Sequence, residues 1–316
     1  MEVYFHSSEA PVLVIGSAGV DIVGRMKSEL HSGTSNPSQI RSSFGGVARN
    51  VAENLARLGQ AVNLISVVGE DENGERLLQG LQVAGVNTVG VLRTIQHVTG
   101  TYLAVVDSRG EYLFGLDDMR AIAELSREHI LAQEHLFKEA STLFIDANIP
   151  KDTLRTVMSL AKKARLPVCA DATSVALAPR LKPYLSRLTL ITPNSAEAAT
   201  FVDPTIKVNT RKQALEAAKA LVSLGVQIAI ITLAEQGLCY ATSETSGYIP
   251  AIRTEIVDPT GAGDALSATV IFALLNEIPL DDAIRLGVSA ASLTLRHRGA
   301  VVPDLSLEKL YDQLVI

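Results

Sequence analysis

The sequence predicts an α/β fold in which a mostly parallel sheet is covered by helices on both faces and carries a small β-sheet over it. Short apolar runs rich in Val and Ile alternate with helical patterns along most of the chain, as in βαβ units whose strands are buried on both faces. The 47% hydrophobic content is carried by Val, Ile, Leu and Ala, with 4% aromatic residues and no Trp. Between residues 89 and 118 the texture changes to short β-rich runs, a hairpin pattern inserted into the alternation.

At 316 residues the chain is ample for a full core. It reads as one domain, 1–316, with a lid drawn from segments of about 25–44 and 89–118. A net charge of −6, with no Lys/Arg cluster interleaved with aromatics, excludes a nucleic-acid surface. An anionic ligand must then be held by local amides and metal. Cys169 and Cys239 lie far apart in apolar runs without metal-ligand spacing and read as reduced core residues. No basic region followed by an apolar stretch opens the chain, and the longest apolar run, around Val226 to Ala234, is too short to span a bilayer. The expectation is a cytoplasmic enzyme with no membrane partner.

Val12 to Gly16 is the first strand, and Ser17-Ala18-Gly19-Val20-Asp21 follows it as a turn. Asp21, just past the strand end, suits either of two tasks: accepting two hydrogen bonds from a vicinal diol, as in a ribose, or capping a turn. Arg25 to Phe44, polar and with Ser35-Asn36-Pro37 inside it, suits a flap over a site. Gly45-Gly46 opens a helix from Val47 to Leu58 that Gly59 ends. Val47, Val51, Leu55 and Leu58 mark its buried stripe, with Arg49, Asn50, Glu53, Asn54 and Arg57 away from it. The Asn50 amide, near the glycines, is placed to serve a sugar hydroxyl or simply to be solvated.

Ala61 to Val68 is the next strand and Glu72 to Ala84 a helix. Val89 to Leu92, Thr99 to Asp107 and Glu111 to Leu116 are the β-rich runs, the last two joined by Ser108-Arg109-Gly110. With the 25–44 segment they predict a small sheet over the main body. Strands then resume at Thr142 to Ala147, Pro167 to Asp171, Leu188 to Thr192 and Gln227 to Thr232. Ligands gather at the C-terminal ends of such strands, where Asp146, Asn148 and Asp171 stand. Asn194-x-x-Glu197 sets an amide and a carboxylate one turn apart, able to hold a water of hydrated Mg²⁺ or to form a capping box. Thr232, with Gly237 beyond it, can donate to a nucleotide phosphate.

The stretch from Val257 to Phe272 carries the strongest signal. Gly261-Ala262-Gly263 allows a tight turn and a close approach, and the residues that follow contain no Gly or Pro, so a helix begins there. A helix start presents unpaired N–H groups and the positive end of a dipole, a place for phosphate and for charge gathering on a phosphoryl group. Asp264 at its mouth either caps the helix or accepts a proton from a hydroxyl. The segment is not a Walker loop, because no Lys-Ser or Lys-Thr follows, and Leu266 stands where a dinucleotide fingerprint needs its third Gly.

Asp258-x-Thr-Gly-Ala-Gly-Asp264 resembles the C-terminal signature of the ribokinase-like, or PfkB, sugar and nucleoside kinases. The resemblance runs in order through Asp21, Gly45-Gly46 with Asn50, the β insert, Asn194-x-x-Glu197, Thr232 and a final Arg298-Gly299-Ala300. It implies a doubly wound α/β fold with a β lid, and a kinase using ATP and Mg²⁺. By the same resemblance Asp264 is the base and the amides of Gly261, Ala262 and Gly263 form the anion hole. Asp21, Gly45, Gly46, Asn50 and Asn148 fall on sugar contacts, Asn194 and Glu197 on the Mg²⁺-phosphate motif, and Thr232 and Gly237 in the nucleotide loop. Asp258 and Thr260 become candidate ligands for K⁺. Pro259 departs from the common Thr or Ser, and Ala234 from the usual Gly.

Within the family the closest likeness is to the pseudouridine-kinase branch. It is carried by Ser35-Asn36-Pro37, the run Gly45 to Asn50, Ala52 to Gly59, Asp118-Met119 and Asp146-Ala147-Asn148-Ile149. It adds Asn36 to the expected substrate contacts. Exposed lid strands are able to pair into a homodimer.

Overall fold

The computed structural model describes residues 9–109, 111–205 and 207–314. Gly110, in the expected hairpin turn, lies outside them. Strand β1 (Val12–Ile15) leads into a ribbon of β2 (Gly19–Met26) and β3 (Ser38–Gly45), followed by α1 (Val47–Arg57), β4 (Val62–Ile65), β5 (Val67–Gly69) and α2 (Glu72–Val83). Next come β6 (Val86–Asn87), β7 (Leu92–Thr94), β8 (Gly100–Val106), β9 (Tyr112–Asp118), α3 (Arg127–Ala132) and α4 (Glu134–Glu139). The middle of the chain supplies β10 (Thr142–Asp146), α5 (Lys151–Ala164), β11 (Val168–Asp171), β12 (Leu190–Ile191), α6 (Ser195–Val202) and α7 (Arg211–Ser223). The remaining elements are β13 (Ile228–Thr232), β14 (Leu238–Ala241), β15 (Ser246–Ile249), α8 (Ala262–Leu275), α9 (Leu280–Leu295) and α10 (Leu307–Leu314).

The main sheet has nine strands in the order β15-β14-β13-β12-β11-β10-β1-β4-β6. Its pairs are parallel from β6 to β13 and antiparallel at β13–β14 and β14–β15. Successive side chains on a strand point to opposite faces, and the core divides accordingly. Leu13, Ile15, Leu143, Ile145 and Ile231 pack with α5, α6 and α7, whereas Val12, Val14, Phe144, Ile228 and Ile230 pack with α1, α2, α8, α9 and α10. Helices thus cover both faces, which makes the sheet doubly wound. From β1 the chain winds one way through β4 and β6 and then returns to the other side at β10. A crevice opens at such a switch point, outside the C-terminal ends of β1 and β10.

A second sheet, β3-β2-β8-β9, has four strands. Residues 17–21 were expected to turn, but a strand begins at Gly19, so Asp21 sits inside β2 rather than past a strand end. Pairing on both sides explains it: Asp21 faces Ser43 of β3 and Tyr102 of β8, and the glycines are absorbed into the ladder. The run at Val89 to Leu92 contributes β7, which pairs with β5 apart from this sheet. The β14–β15 hairpin at the edge of the main sheet was not anticipated.

Candidate active site

Asp146, the last residue of β10, is fully buried and organises the crevice. Its Oδ2 accepts from the Ser17 N–H (2.7 Å), the Ser17 hydroxyl (2.7 Å) and the Ala48 N–H (3.1 Å), and its Oδ1 from the Asn148 N–H (2.9 Å). One carboxylate therefore ties together the end of β1, the start of α1 and the loop after β10. Gly16 is obligatory beside it, since a Cβ there would lie 2.4 Å from the carboxylate. Burial raises the Asp146 pKa, and hydrogen bonds from the backbone and side chains of Ser17 and Asn148 oppose the rise. On the same loop Arg180 Nη1 donates to the carbonyls of Ala147 (3.1 Å), Asn148 (3.0 Å) and Ile149 (3.3 Å), fixing the turn that carries Asn148.

Helix α1 enters through Gly46, whose φ of 93° is the left-handed side that suits glycine. A Cβ on Gly46 would also meet the Ser17 carbonyl at 2.6 Å. Gly45 is compact for a different reason, because a Cβ there would fall 2.1 Å from Asp21 Oδ2. The two glycines thus let the lid ribbon and its carboxylate close down on the helix start. The polar face of α1 is not solvated as its pattern suggests: Arg49, Asn50, Glu53 and Asn54 are all buried. It lies against α8, which is buried nearly all round between α1 and α9.

Helix α8 begins after Gly261, which holds φ 80° and would place a Cβ 2.2 Å from the Ala300 carbonyl. Gly263 has nothing within 4 Å of a Cβ position and borders open space. Asp264 stands in the first turn, and its Oδ2 accepts from Asn50 Nδ2 at 2.8 Å. Burial, with smaller additions from the charges of Asp146 and Asp21, pushes its pKa up to about 7, while the Asn50 hydrogen bond and the Arg49 charge pull the other way. Asp21 is pushed up to about 6, chiefly by burial, with Arg49 lowering it and Asp258 raising it. A half-buried carboxylate titrating near neutrality, beside a helix N-terminus, is suited to accept a proton from an alcohol.

Asp258 and the loop after it complete this end. Its Oδ1 accepts from the Thr260 N–H (3.0 Å) and its Oδ2 from the Gly299 N–H (3.2 Å), joining the 258–261 turn to the 298–300 segment. Across the crevice, Thr232 forms an isolated bridge with Asn194. Asn194 and Glu197 make both halves of a capping box, with Asn194 Oδ1 taking the Glu197 N–H and Glu197 Oε2 taking the Asn194 N–H, each at 2.9 Å. Glu197 is raised by burial, and Asp171, also raised, feels the negative charges of Asp264 and Glu197 after its own desolvation. These mutually repelling carboxylates suit a hydrated divalent cation nearby. Among the described residues no group of three His, Cys, Asp or Glu forms a ready-made metal cage.

Two of the expected positions have other employment. Asn36 lies in the loop at the tip of the β2–β3 ribbon, where its amide bonds the backbone of His31 and Thr34. Gly19 pairs with Gly45 at the base of that ribbon and Met26 with Ser38 at its tip. At about 3.4 Å per residue the tip is roughly 24 Å from the base, so the structure does not bring Asn36 to Asp21 and Asn50. Gly237 has φ 90° and a Cβ position 2.2 Å from the Ile249 carbonyl, so its glycine is demanded by the turn into β14. Ala234 just before it holds φ 49°, a conformation a glycine would adopt without cost. Arg49 and Arg180 escaped the sequence reading, although the Arg49-Asn50 dipeptide behind two glycines offered a signal for the first.

Comparison with known proteins agrees with this geometry. The pfkB carbohydrate-kinase family profile matches residues 10–306. The chain is 29% identical to the pseudouridine kinase of Escherichia coli K12, over 94% of each chain. It is 30% identical to the guanosine-inosine kinase of Exiguobacterium acetylicum, over 93% of this chain and 97% of that one. Among solved structures, a carbohydrate kinase from Agrobacterium tumefaciens superimposes with a TM-score of 0.82 at 27% identity, covering 97% of both chains. Ribokinase from Arabidopsis thaliana, solved with ribose and ATP, shares the fold with a TM-score of 0.83 at 22% identity over 97% of this chain and 99% of that one. A family match spanning nearly the whole chain, on a doubly wound sheet whose crevice holds Asp264 at a helix N-terminus, identifies this protein as a member of the pfkB family of carbohydrate kinases, phosphotransferases with an alcohol acceptor.

Proposed function

We propose that the protein phosphorylates the 5′-hydroxyl of pseudouridine, using ATP. The observation that carries the reading is the contact of Asn50 with Asp264 at the mouth of α8, with Asp21 on the lid strand above them. Asp21 and Asn50 hold the ribose hydroxyls, with Gly45, Gly46 and Asn148 shaping the wall against the sugar. Asp264 takes the proton of the 5′-hydroxyl as its oxygen attacks the γ-phosphorus in line. The new O–P bond forms as the bond to the β-phosphate oxygen breaks, and ADP leaves. The amides of Gly261, Ala262 and Gly263 receive the growing charge, and positioning and electrostatics supply most of the acceleration.

Asn194 and Glu197 would hold Mg²⁺ through water, with Thr232 on the phosphates. When bound, Mg²⁺ neutralises charge on the transferring phosphoryl group. Asp258 and Thr260 are candidates for K⁺ beside the anion hole. The four-stranded sheet serves as the lid that excludes water from the chemistry. On its face opposite Asp21, Ile40 is 72% and Leu116 63% exposed, an apolar surface suited to a homodimer formed lid to lid. Dependence on ATP suits a cytoplasmic setting, and among the described residues no helix is long and apolar enough to cross a membrane.

The substrate assignment leans on the 29% identity to a pseudouridine kinase. The 30% identity to a guanosine-inosine kinase favours a second reading, a purine nucleoside as acceptor. The deciding experiment offers MgATP and K⁺ with pseudouridine, uridine, inosine, guanosine, adenosine, ribose and fructose, and measures ADP together with phosphorylated product. Product from pseudouridine alone supports the assignment. Turnover of inosine or guanosine transfers the same catalytic residues to the second reading, and binding without turnover of any acceptor overturns both.

A further inference from the structure

The buried polar face of α1 contains a connection that the family signature does not spell out. Arg49, only 7% exposed, donates from Nη1 to the carbonyl of Phe44 near the end of β3 and to Asn50 Oδ1, both at 2.9 Å. Its Nη2 pairs with Glu53, whose other oxygen accepts from Arg57. The guanidinium carbon also stands 6.0 Å from the centre of the Phe44 ring. Its Nε–H has no partner although it is buried. A dry guanidinium with an unpaired N–H is an expensive way to fill a helix face, and such groups call for an explanation beyond packing.

The Asn50 amide supplies one. An Asn side chain has one acceptor and one donor end, and the alternative orientation would set its NH₂ against the guanidinium and its oxygen against the Asp264 carboxylate. Because Arg49 occupies the oxygen, the NH₂ is turned to Asp264, which it meets at 2.8 Å. The charged groups acting on Asp264 come from several elements: Asp146 from β10 and Asp21 from β2 raise it, Arg49 from α1 lowers it, and Asp171 from β11 is itself raised by its charge. We propose that Arg49 is a positioning residue of the phosphotransfer site, which locks the Asn50 amide toward Asp264 and, through Phe44, couples the lid ribbon to the base. The inference rests on the reading of Asp264 as the base.

Arg49→Lys and Arg49→Met are to be compared with the wild type as profiles of kcat/KM against pH, alone and combined with Asn50→Ala. Lys keeps the charge but has one nitrogen where Arg49 uses two, Nη1 for Phe44 and Asn50 and Nη2 for Glu53. The expected result for Arg49→Lys is a fall in kcat of about tenfold or more, as a displaced catalytic group costs up to about 100-fold, with the acid limb moved upward as the Asn50 bond to Asp264 is lost. Arg49→Met adds a shift of that limb to higher pH, because a positive charge favouring the carboxylate is gone. In the Asn50→Ala background Arg49→Lys has little further effect, since the residue it acts through is absent. A purely structural arginine would lower Tm without moving the limb, and its effect would multiply with that of Asn50→Ala. Wild-type turnover and profile in Arg49→Lys, or independent multiplication in the double variant, overturns the inference. Should Arg49→Met not fold, Arg49→Lys and the double variant still decide. Asp264→Asn run alongside separates the two failures: activity retained there removes the base itself, whereas activity lost there with Arg49→Lys unchanged removes only the role of Arg49.

Discussion

Burial of Asp264 sets a sharp expectation for the pH dependence of turnover. Its pKa is pushed from an ordinary 3.8 to about 7, and the general base we propose it to be works only when deprotonated. At pH 8 roughly 90% of the enzyme then carries the carboxylate and at pH 6 roughly 9%, so kcat/KM for the acceptor should fall about tenfold between them and about tenfold per pH unit below. This ratio reports the free enzyme, which is the state with Asn50 bonded to Asp264. Hydrogen bonds to charged groups contribute about 1.5–3 kcal/mol, or roughly 1–2 pH units at 1.36 kcal/mol each. Asn50→Ala should therefore move the acid limb upward by about one unit and, on the proposed role of Asn50 against the acceptor, raise KM as well. The assay is direct quantification of phosphorylated nucleoside at saturating MgATP, so that coupling enzymes and nucleotide protonation do not shape the curve. A wild-type profile flat from pH 8 to 6, or an unmoved limb in Asn50→Ala, would refute the reasoning.

Other substitutions test the same site from different directions. Asp264→Asn should lower kcat by about 10²- to 10⁴-fold. It should also raise Tm at pH 8. With a folded-state pKa of about 7 against 3.8, the wild type loses stability as pH climbs through that window, by up to about 4 kcal/mol. Near pH 3, where the carboxyl is protonated in the folded and unfolded states alike, thermal melts of the two proteins should nearly coincide. Gly261→Ala forces a Cβ to 2.2 Å from the Ala300 carbonyl in a left-handed residue, which should cost more than about 1–2 kcal/mol and remove activity. Gly263→Ala meets no atom within 4 Å, so denaturant melts should show stability unchanged or up to about 1 kcal/mol higher. Gly45→Ala sets its methyl against the Asp21 carboxylate; the expected loss is in KM for the nucleoside, with KM for MgATP preserved in initial-rate kinetics.

Much of the fold is legible in the sequence because it is written in local terms. Val12 to Ile15 and Ile228 to Thr232 are apolar runs with turn signals after them, and Gly261-Ala262-Gly263 announces the start of α8 where it occurs. What escapes is whatever depends on a distant partner. Arg49, Asn50 and Glu53 have the spacing of a solvated helix face, and only the arrival of α8 and the β2–β3 ribbon turns that face into a buried network. Asp21 reads as lying past a strand end because strand pairing to Ser43 and Tyr102 cannot be seen from residues 17–21 alone. Asn36 is the opposite case: a short local likeness suggested a substrate contact, and in the structure its amide bonds the backbone of His31 and Thr34 at the tip of the ribbon. The β14–β15 hairpin left only a partial trace, the apolar run Leu238 to Ala241 ahead of the polar Thr242-Ser243-Glu244-Thr245, because Ser246-Gly247-Tyr248-Ile249 is not an apolar run.

The bond between Asn50 and Asp264 spans 214 residues, and this separation bears on how the chain is made. At translation rates of roughly 5–20 residues per second, α1 waits about 10–40 s after synthesis before its partner on α8 exists. Through that interval Arg49, Glu53 and the apolar stripe beside them face no completed neighbour. Long-range pairings also make the parallel sheet slow to assemble. The nascent N-terminal half exposes apolar surface until α8 arrives, and a release of the chain short of α8 leaves that face of the sheet uncovered. Truncation should accordingly yield aggregated or degraded polypeptide and never a partly active kinase.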